Sequence, residues 1–428
     1  MSTHIYLAPA GHGKTTYVLE RIHQVRATDP LAPISVVLPN QAQVSAFRQR
    51  LGVGGGALGV SVGTFYALYP EILAWARKPE PRLPEPAQYR LIRSIVMGLA
   101  EEGRLRYYAP LRDKPGFVVA LRALLEELKR AGIRREKFRQ AIQSLPDREP
   151  RLLELAEIYD TYQDWLLDHK WADTEGQGWL AALALERQPD LGRHLRLLIV
   201  DGFDEFNPTQ LDVLKLLAGR AAETLITLTG TKQDPPRPAL RRFTRELQAI
   251  SLALSLEPEP LPDQSPAATP APLAHLEANL FEPQSLPFPL PSEGDETSQE
   301  MPFASGDAHS AGRKRSEAPE ALAFLEAQNR AEEARAALRW LKARLVRDNM
   351  APTEVALLAR DLTPYRPFIE EIAAEFGLCL HLREGLNLAT NPVIAAVLLL
   401  LSLPIDDADG AWARRPPPRR RHCPCSPR

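Results

Sequence analysis

Hydrophobic positions in the first eighty residues fall into short apolar runs separated by segments of helical spacing. His4–Leu7 is apolar and leads into a Gly-rich turn, Thr16–Arg26 repeats its apolar positions helically, Ile34–Leu38 is apolar again, and Gln41–Leu51 is helical. This βαβα order predicts a parallel sheet covered by helices. From Leu83 to Leu191 the period is 3.6 throughout, as in Phe117-Val118-Leu121-Leu124-Leu125-Leu128, and predicts a helical insertion. The alternation resumes with an apolar strand Leu195–Val200 that ends on Asp201, a helix Pro208–Leu217 and a strand Thr224–Thr229. Residues 1–82 and 191–256 are therefore expected to form one sheet that flanks the insertion, residues 83–190.

Residues 257–319 are crowded with Pro, Ser, Glu, Ala and Gly and read as a linker or surface excursion, with one short helix at Leu273–Phe281. Residues 320–410 return to the α/β pattern: strand Ala321–Ala327, helix Ala331–Val346, strand Val355–Ala359, helix Pro364–Phe376 and apolar helix Pro392–Leu401. That order predicts the start of a second α/β domain. Residues 411–428, AWARRPPPRRRHCPCSPR, fit neither pattern. Two readings stand for them, a basic tail or a shift of reading frame that cuts the second domain short.

Composition adds limits. With 44% hydrophobic and 25% charged residues the chain is of the ordinary globular kind, which excludes disorder throughout and coiled coil. A net charge of -2 excludes a uniformly basic nucleic-acid coat and leaves room for a local basic cleft. Half of the 40 prolines lie in Lys232–Pro319 and Pro416–Arg428. The longest apolar run, Val393–Leu403, is too short for a bilayer, and the N-terminus lacks a signal peptide's basic start and apolar core, so no membrane association and a cytoplasmic location are expected. Cys379, Cys423 and Cys425 make no disulfide framework, and the C-x-C pair has no second ligand pair with which to hold a metal.

The chemistry is densest in Ala8-Pro9-Ala10-Gly11-His12-Gly13-Lys14-Thr15-Thr16, between an expected strand and helix. Glycines there let backbone N–H groups curl around phosphate oxygens, and the helix N-terminus adds partial positive charge. Lys14 would reach the outer phosphates, and Thr15 would offer its hydroxyl to Mg²⁺. Asp201, ending an apolar strand, is the matching carboxylate for the Mg²⁺ shell. The next position, where a catalytic Glu commonly polarises water, is Gly202; Asp204 and Glu205 are the nearest substitutes, or equally helix-capping acids before Pro208.

In sequence this series resembles superfamily 1 helicases of the UvrD/Rep/RecB type, which implies a P-loop NTPase (RecA-like) fold. The leading Ala before Gly11-His12-Gly13-Lys14-Thr15 resembles motif I, Ile34–Leu51 motif Ia, Val62–Leu73 the TFH-containing motif, LLIVDGFDEFNPTQLDVL motif II and VALLARDLTPYRPFIEEIAAEFGL motif IV. The D-G-F form, the missing adenine-reading motif and the LAHLEANLF segment are similar to the B subunit of AddAB (RexAB) helicase-nucleases. That resemblance implies domain 1A interrupted by helical 1B, then domain 2A, with ATP and Mg²⁺ as cofactors. It implies a catalytic AddA-like helicase-nuclease partner in a heterodimer, acting in double-strand-break repair and recombination. Single-stranded DNA would touch Pro39, Asn40, Thr64, Phe65 and Tyr66, and Arg360 would approach the γ-phosphate. The nuclease motif, its cysteines and motifs V and VI find no match, and Gly230-Thr231-Lys232-Gln233-Asp234 matches motif III in part.

From the residues alone, Phe65 and Tyr66 can equally begin an amphipathic helix and be core. The basic run Arg122, Lys129, Arg130, Arg134, Arg135, Lys137 and Arg139 can be a solvated face or a groove. The leading expectation is an ATP-binding, DNA-holding helicase-like subunit, weak or inactive as a motor. The rivals are an autonomous DNA-stimulated translocase that uses Asp204 or Glu205, and a scaffold with a relic phosphate loop.

Overall fold

The structure, a computed structural model, describes residues 2–53, 58–145, 149–231, 240–262, 270–282, 323–382, 388 and 391–406. The chain divides into two compact units, Met1–Ala321 and Leu322–Arg428, and each is described by itself.

In the first unit β1 (Ser2–Ala8), β2 (Ile34–Val37), β3 (Val60–Gly63), β4 (Leu197–Phe203), β5 (Glu223–Thr229) and β6 (Glu259–Pro260) form one sheet in the order β3-β2-β4-β5-β1-β6. Every pairing is parallel. Parallel strands buried on both faces need near-continuous apolar sequence, and β2 is buried along its whole length. Alternate residues supply the two faces. Ile5, Leu7, Val37, Leu198, Val200, Ile226 and Leu228 enter one core, and Tyr6, Ala8, Ile34, Val36, Leu197, Ile199 and Leu225 enter the other. The second core is closed by α1 (Lys14–Thr28) and α2 (Gln41–Val53) through Val18, Ile22, Val44 and Phe47. The first is closed by α3 (Phe65–Trp75), which follows β3.

The stretch expected to be helical contains α4 (Glu85–Glu101), α5 (Pro115–Arg130), α6 (Arg135–Gln143), α7 (Pro150–His169) and α8 (Thr174–Arg187). Helices α4, α5 and α7 bury a core of their own around Ile92, Val96, Leu121, Leu125, Ile158, Tyr159 and Tyr162. Helix α8 instead sends Ala181 and Leu185 into the sheet's core, beside Val213 and Leu217 of α9 (Pro208–Ala218). By packing it belongs with the sheet. Its close approach rests on Gly178, where a Cβ would stand 2.9 Å from Thr209 Cγ2 and 2.9 Å from Tyr69 Cε2.

A buried polar cluster joins the helical layer to the sheet layer. Lys129, 1% exposed, lies 2.7 Å from Asp173 Oδ2 and over the rings of Tyr162 and Trp179. The Tyr162 hydroxyl donates to the same oxygen at 2.8 Å, and Asp173 Oδ1 caps α8 by accepting from Gly176 N at 2.6 Å. Most of the basic run is accounted for in this way: Arg130 pairs with Glu175, Arg122 with Glu85 and Glu126, Arg135 with Asp164 and Glu136, and Arg139 with Asp160 and Glu157. Paired guanidinium groups and a buried ammonium do not make an open groove, and the groove reading of this run is not supported.

The segment after residue 256 begins as structure rather than linker. Glu259–Pro260 add β6 to the sheet edge beside Tyr6 and Leu7, Leu261 N donates to Leu7 O at 2.8 Å, and the Leu261 side chain is buried. Before it stands α10 (Arg241–Leu254), and after it α11 (Ala271–Asn279), close to the expected short helix.

In the second unit α12 (Arg330–Arg347) and α13 (Arg366–Phe376) pack through Ala334, Leu338, Ile369, Ile372 and Ala373, and α14 (Pro392–Asp406) is the expected apolar helix. The two strands expected here are not formed among the described residues: 323–327 and 355–359 have no ladder partner. Phe324 and Leu358 are 97% and 89% exposed, while Leu357 packs against the core of α12 and α13 without its backbone joining a ladder. An apolar run becomes a strand only when a neighbour pairs its backbone groups.

Candidate functional site

The carboxyl ends of the parallel strands carry most of the residues singled out in the sequence, the usual place for a ligand in an open α/β sheet. Ala10, Gly11, His12 and Gly13 form the turn from β1 to α1. Gly11 has φ 76° and Gly13, the N-cap, φ 84°, a left-handed geometry that side chains resist. His12 Nδ1 lies 2.9 Å from Ala10 O, within the turn. Lys14 folds back over it, donating to Ala8 O at 2.9 Å and Pro9 O at 2.8 Å. Burial pulls the Lys14 ammonium below the ordinary lysine pKa, and the Asp201 charge opposes that shift. Thr16 is exposed on the first turn of α1.

Two strands away, Asp201 is 4% exposed near the end of β4. Thr15 Oγ1 donates to its Oδ2 at 3.0 Å, and Thr227 Oγ1, from the neighbouring β5, donates to its Oδ1. The register explains the second bond, since Asp201 is the Cα partner of Thr227. Thr227 is a site residue that the sequence reading misses. The available signal is a polar residue within the apolar β5 run opposite the end of β4.

After Asp201 the ladder slips: Phe203 pairs with Leu228, leaving Gly202 as a bulge with φ 80°. A Cβ on Gly202 would fall 2.9 Å from Gln43 Oε1. The position that lacks a carboxylate therefore has both a backbone that disfavours side chains and an amide already standing in the space. Asp204 and Glu205 lie beyond the bulge and are exposed. Asn207, with Gln210, forms the capping box of α9, so the capping role considered for the two acids falls to Asn207.

Asn40 and Thr64 open α2 and α3 after the adjacent strands β2 and β3, at the same end of the sheet as Asp201. Asn40 is exposed, and its Oδ1 caps α2 by accepting from Gln43 N at 3.0 Å; Pro39 and Thr64 are half-buried. Phe65 is a correction. It is 2% exposed and packs edge-on against Phe203 and Phe206 in the sheet's core, so no ring face is open for a base. Tyr66 is half-buried, and its hydroxyl donates to Glu175 at 2.9 Å. Arg360 is exposed at a bend of the second unit. Of the partial match at 230–234, Lys232, Gln233 and Asp234 lie outside the described residues. Among the described residues no helix is long and apolar enough to cross a membrane.

A parallel sheet whose first turn carries Gly11, Gly13 and Lys14, tied through Thr15 to the acid near the end of β4, defines an α/β protein consistent with a RecA-like fold. Residues 5–251 match the family described as ADDB, N-terminal, and the chain belongs to that family. It is 28% identical over 450 residues to the B subunit of the ATP-dependent helicase/deoxyribonuclease of Moorella thermoacetica, a match covering 97% of this chain and 35% of the relative. The same-named protein of Symbiobacterium thermophilum is 25% identical, with 95% of this chain and 34% of the relative covered. That of Bacillus subtilis is 23% identical, with 92% and 33% covered. The chain spans about a third of the length of these curated relatives.

Proposed function

We propose that this chain binds ATP with Mg²⁺ on the Gly11–Thr15 turn and serves as the DNA-holding, helicase-like subunit of a double-strand-break repair helicase-nuclease, beside a catalytic partner subunit. The observation that carries the reading is the Thr15–Asp201 hydrogen bond, which joins the hydroxyl and the carboxylate that a Mg²⁺-nucleotide site requires. The relatives, named as B subunits of an ATP-dependent helicase/deoxyribonuclease, support the assembly.

The residues fit the group. Backbone N–H groups of the turn and the first turn of α1 would face phosphate oxygens, and Lys14 would exchange the carbonyls of Ala8 and Pro9 for the outer phosphates. Mg²⁺ would neutralise phosphate charge, held by Thr15 directly and by Asp201 through water, with Thr227 fixing the carboxylate's other oxygen. Gly202 supplies no base, and Asp204 and Glu205 stand beyond the bulge, so this chain binds nucleotide far better than it turns it over. Single-stranded DNA would run over Pro39, Asn40, Thr64 and the edge of Tyr66, at the same end of the sheet.

Steady-state ATP hydrolysis with and without single-stranded DNA, set beside equilibrium nucleotide binding, tests this. Tight Mg²⁺-ATP binding with negligible turnover is expected. DNA-stimulated turnover abolished by Glu205→Ala or Asp204→Ala would instead make the chain an autonomous motor, and no nucleotide binding would reduce the turn to a relic.

A further inference from the structure

Gln43 lies between the two proposed ligands and belongs to neither binding set. Its backbone N–H is held by Asn40 Oδ1 at 3.0 Å, at the first turn of α2. Its side-chain amide stands over Gly202, where the space for a Cβ is 2.9 Å from Gln43 Oε1, 3.7 Å from Cδ and 3.8 Å from Nε2. Gly202 in turn follows Asp201, whose carboxylate accepts from Thr15 and Thr227. One residue thus meets, through its backbone, the side chain proposed to hold DNA and, through its side chain, occupies the space beside the bulge that a Gly202 side chain would need.

We propose that Gln43 is a positioning residue that couples nucleotide binding to DNA binding by packing its amide on the Gly202 bulge. The inference rests on the proposed ATP and DNA sites. Its physical basis is the bulge, which is the one step in the β4–β5 ladder where register is lost. A paired ladder fixes each residue by its hydrogen bonds, whereas a bulge leaves its extra residue unpaired and locally disrupts the ladder. Thr15 would turn its hydroxyl from Asp201 toward a bound Mg²⁺, and the Asp201 carboxylate and the peptide after it would adjust. Gly202 passes that movement to whatever is packed on it, and Gln43 fills that place. Movement of Gln43 alters the N-terminus of α2 and so the presentation of the Asn40 amide. Coupling of this kind is a ratio of affinities and is reciprocal, so it can be read from the DNA side.

The test uses the full chain, a non-hydrolysable ATP analogue with Mg²⁺, and a fluorescein-labelled single-stranded oligothymidylate followed by anisotropy. In the unsubstituted chain the analogue is expected to change DNA affinity by roughly fivefold or more. Gln43→Ala, which empties the space over Gly202, should bring that ratio to within about twofold of one while each ligand still binds alone. Gln43→Met, which restores the length and bulk of the side chain without the amide, should recover the ratio. A purely structural role would move the thermal midpoint together with the ratio, whereas the coupling role moves the ratio at an unchanged midpoint, since both variants keep the Asn40 cap. An unchanged ratio in Gln43→Ala, or its loss in Gln43→Met as well, overturns the packing mechanism and leaves the proposed function standing. An unsubstituted chain whose two ligands bind without influencing each other also overturns the inference alone. An unsubstituted chain that binds neither ligand removes the proposed function, and the inference with it.

Discussion

The hydroxyl of Thr15 donates to the carboxylate of Asp201 at 3.0 Å across 186 positions of chain. Most of that chain, from α2 through the whole helical layer to α8, is inserted between strands that lie side by side: β2 and β4 pair from Ile34 with Leu197 to Val37 with Val200. The contact follows from that topology, because β4 inserts beside β2 and ends level with the turn after β1. Replacing Asp201 by Asn keeps the shape and removes the charge that Mg²⁺ needs. Asp201→Asn is expected to lower affinity for Mg²⁺-ATP at least tenfold while leaving Mg²⁺-free nucleotide nearly unaffected, as measured by titration with and without the metal. Equal losses in both conditions would count against the carboxylate's role.

The strands β1, β2, β4 and β5 and the helices α1, α2 and α9 are legible in the sequence, because their apolar periods are clean. The turn and Asp201 are legible for the same reason, since both sit where an apolar run stops. Phe65 is not, because an aromatic after Thr64 suits a stacking platform and a core equally until Phe203 and Phe206 are seen around it. Edge strand β6 is hidden because two residues in a proline-rich stretch carry no period. The apolar runs at 323–327 and 355–359 mislead, since pairing depends on a neighbour that a run does not specify.

Gly178 sets how near α8 comes to α3 and α9. A methyl group there meets Thr209 Cγ2 and Tyr69 Cε2, both at 2.9 Å, and neither neighbour is free to withdraw from a buried site. Gly178→Ala should destabilise the first unit by about 1–3 kcal/mol, the usual range for overpacking. Adding Thr209→Ser, which deletes the Thr209 methyl, should restore part of the loss. Denaturant unfolding of the two variants checks this, and a Gly178→Ala protein as stable as the parent would refute it.

The Lys129–Asp173 pair is nearly solvent-free, at 1% and 4% side-chain exposure, unlike the Arg193–Asp190 pair at 57% and 86%. Removing one partner of a buried pair strands the other charge, so Lys129→Met should cost about 3–5 kcal/mol. Arg193→Ala should cost under about 1 kcal/mol, because an exposed pair gains little over water. Unfolding midpoints at one ionic strength distinguish the two, and comparable losses would mean that the buried cluster is not what joins α5 to α8.

Lys14 must carry its proton to hold phosphate. Its folded pKa lies below the ordinary lysine value through burial, so the charged form is lost as pH rises through that lowered value. Nucleotide affinity should therefore be level near neutral pH and decline on the alkaline side before an ordinary lysine would titrate. Lys14→Arg, which keeps its charge, should flatten that decline even where it weakens binding. A pH profile of nucleotide binding for both forms reads the difference, and parallel declines would point to another group.

The central claim is that the turn after β1 is a working nucleotide site, and calorimetric titration of the full chain with Mg²⁺-ATP analogue measures it most directly. The unsubstituted chain should bind one equivalent, and Lys14→Ala should lose that binding while its thermal unfolding stays within a few degrees of the parent. Equal binding by the Lys14→Ala chain, or none by the unsubstituted one, would contradict the account.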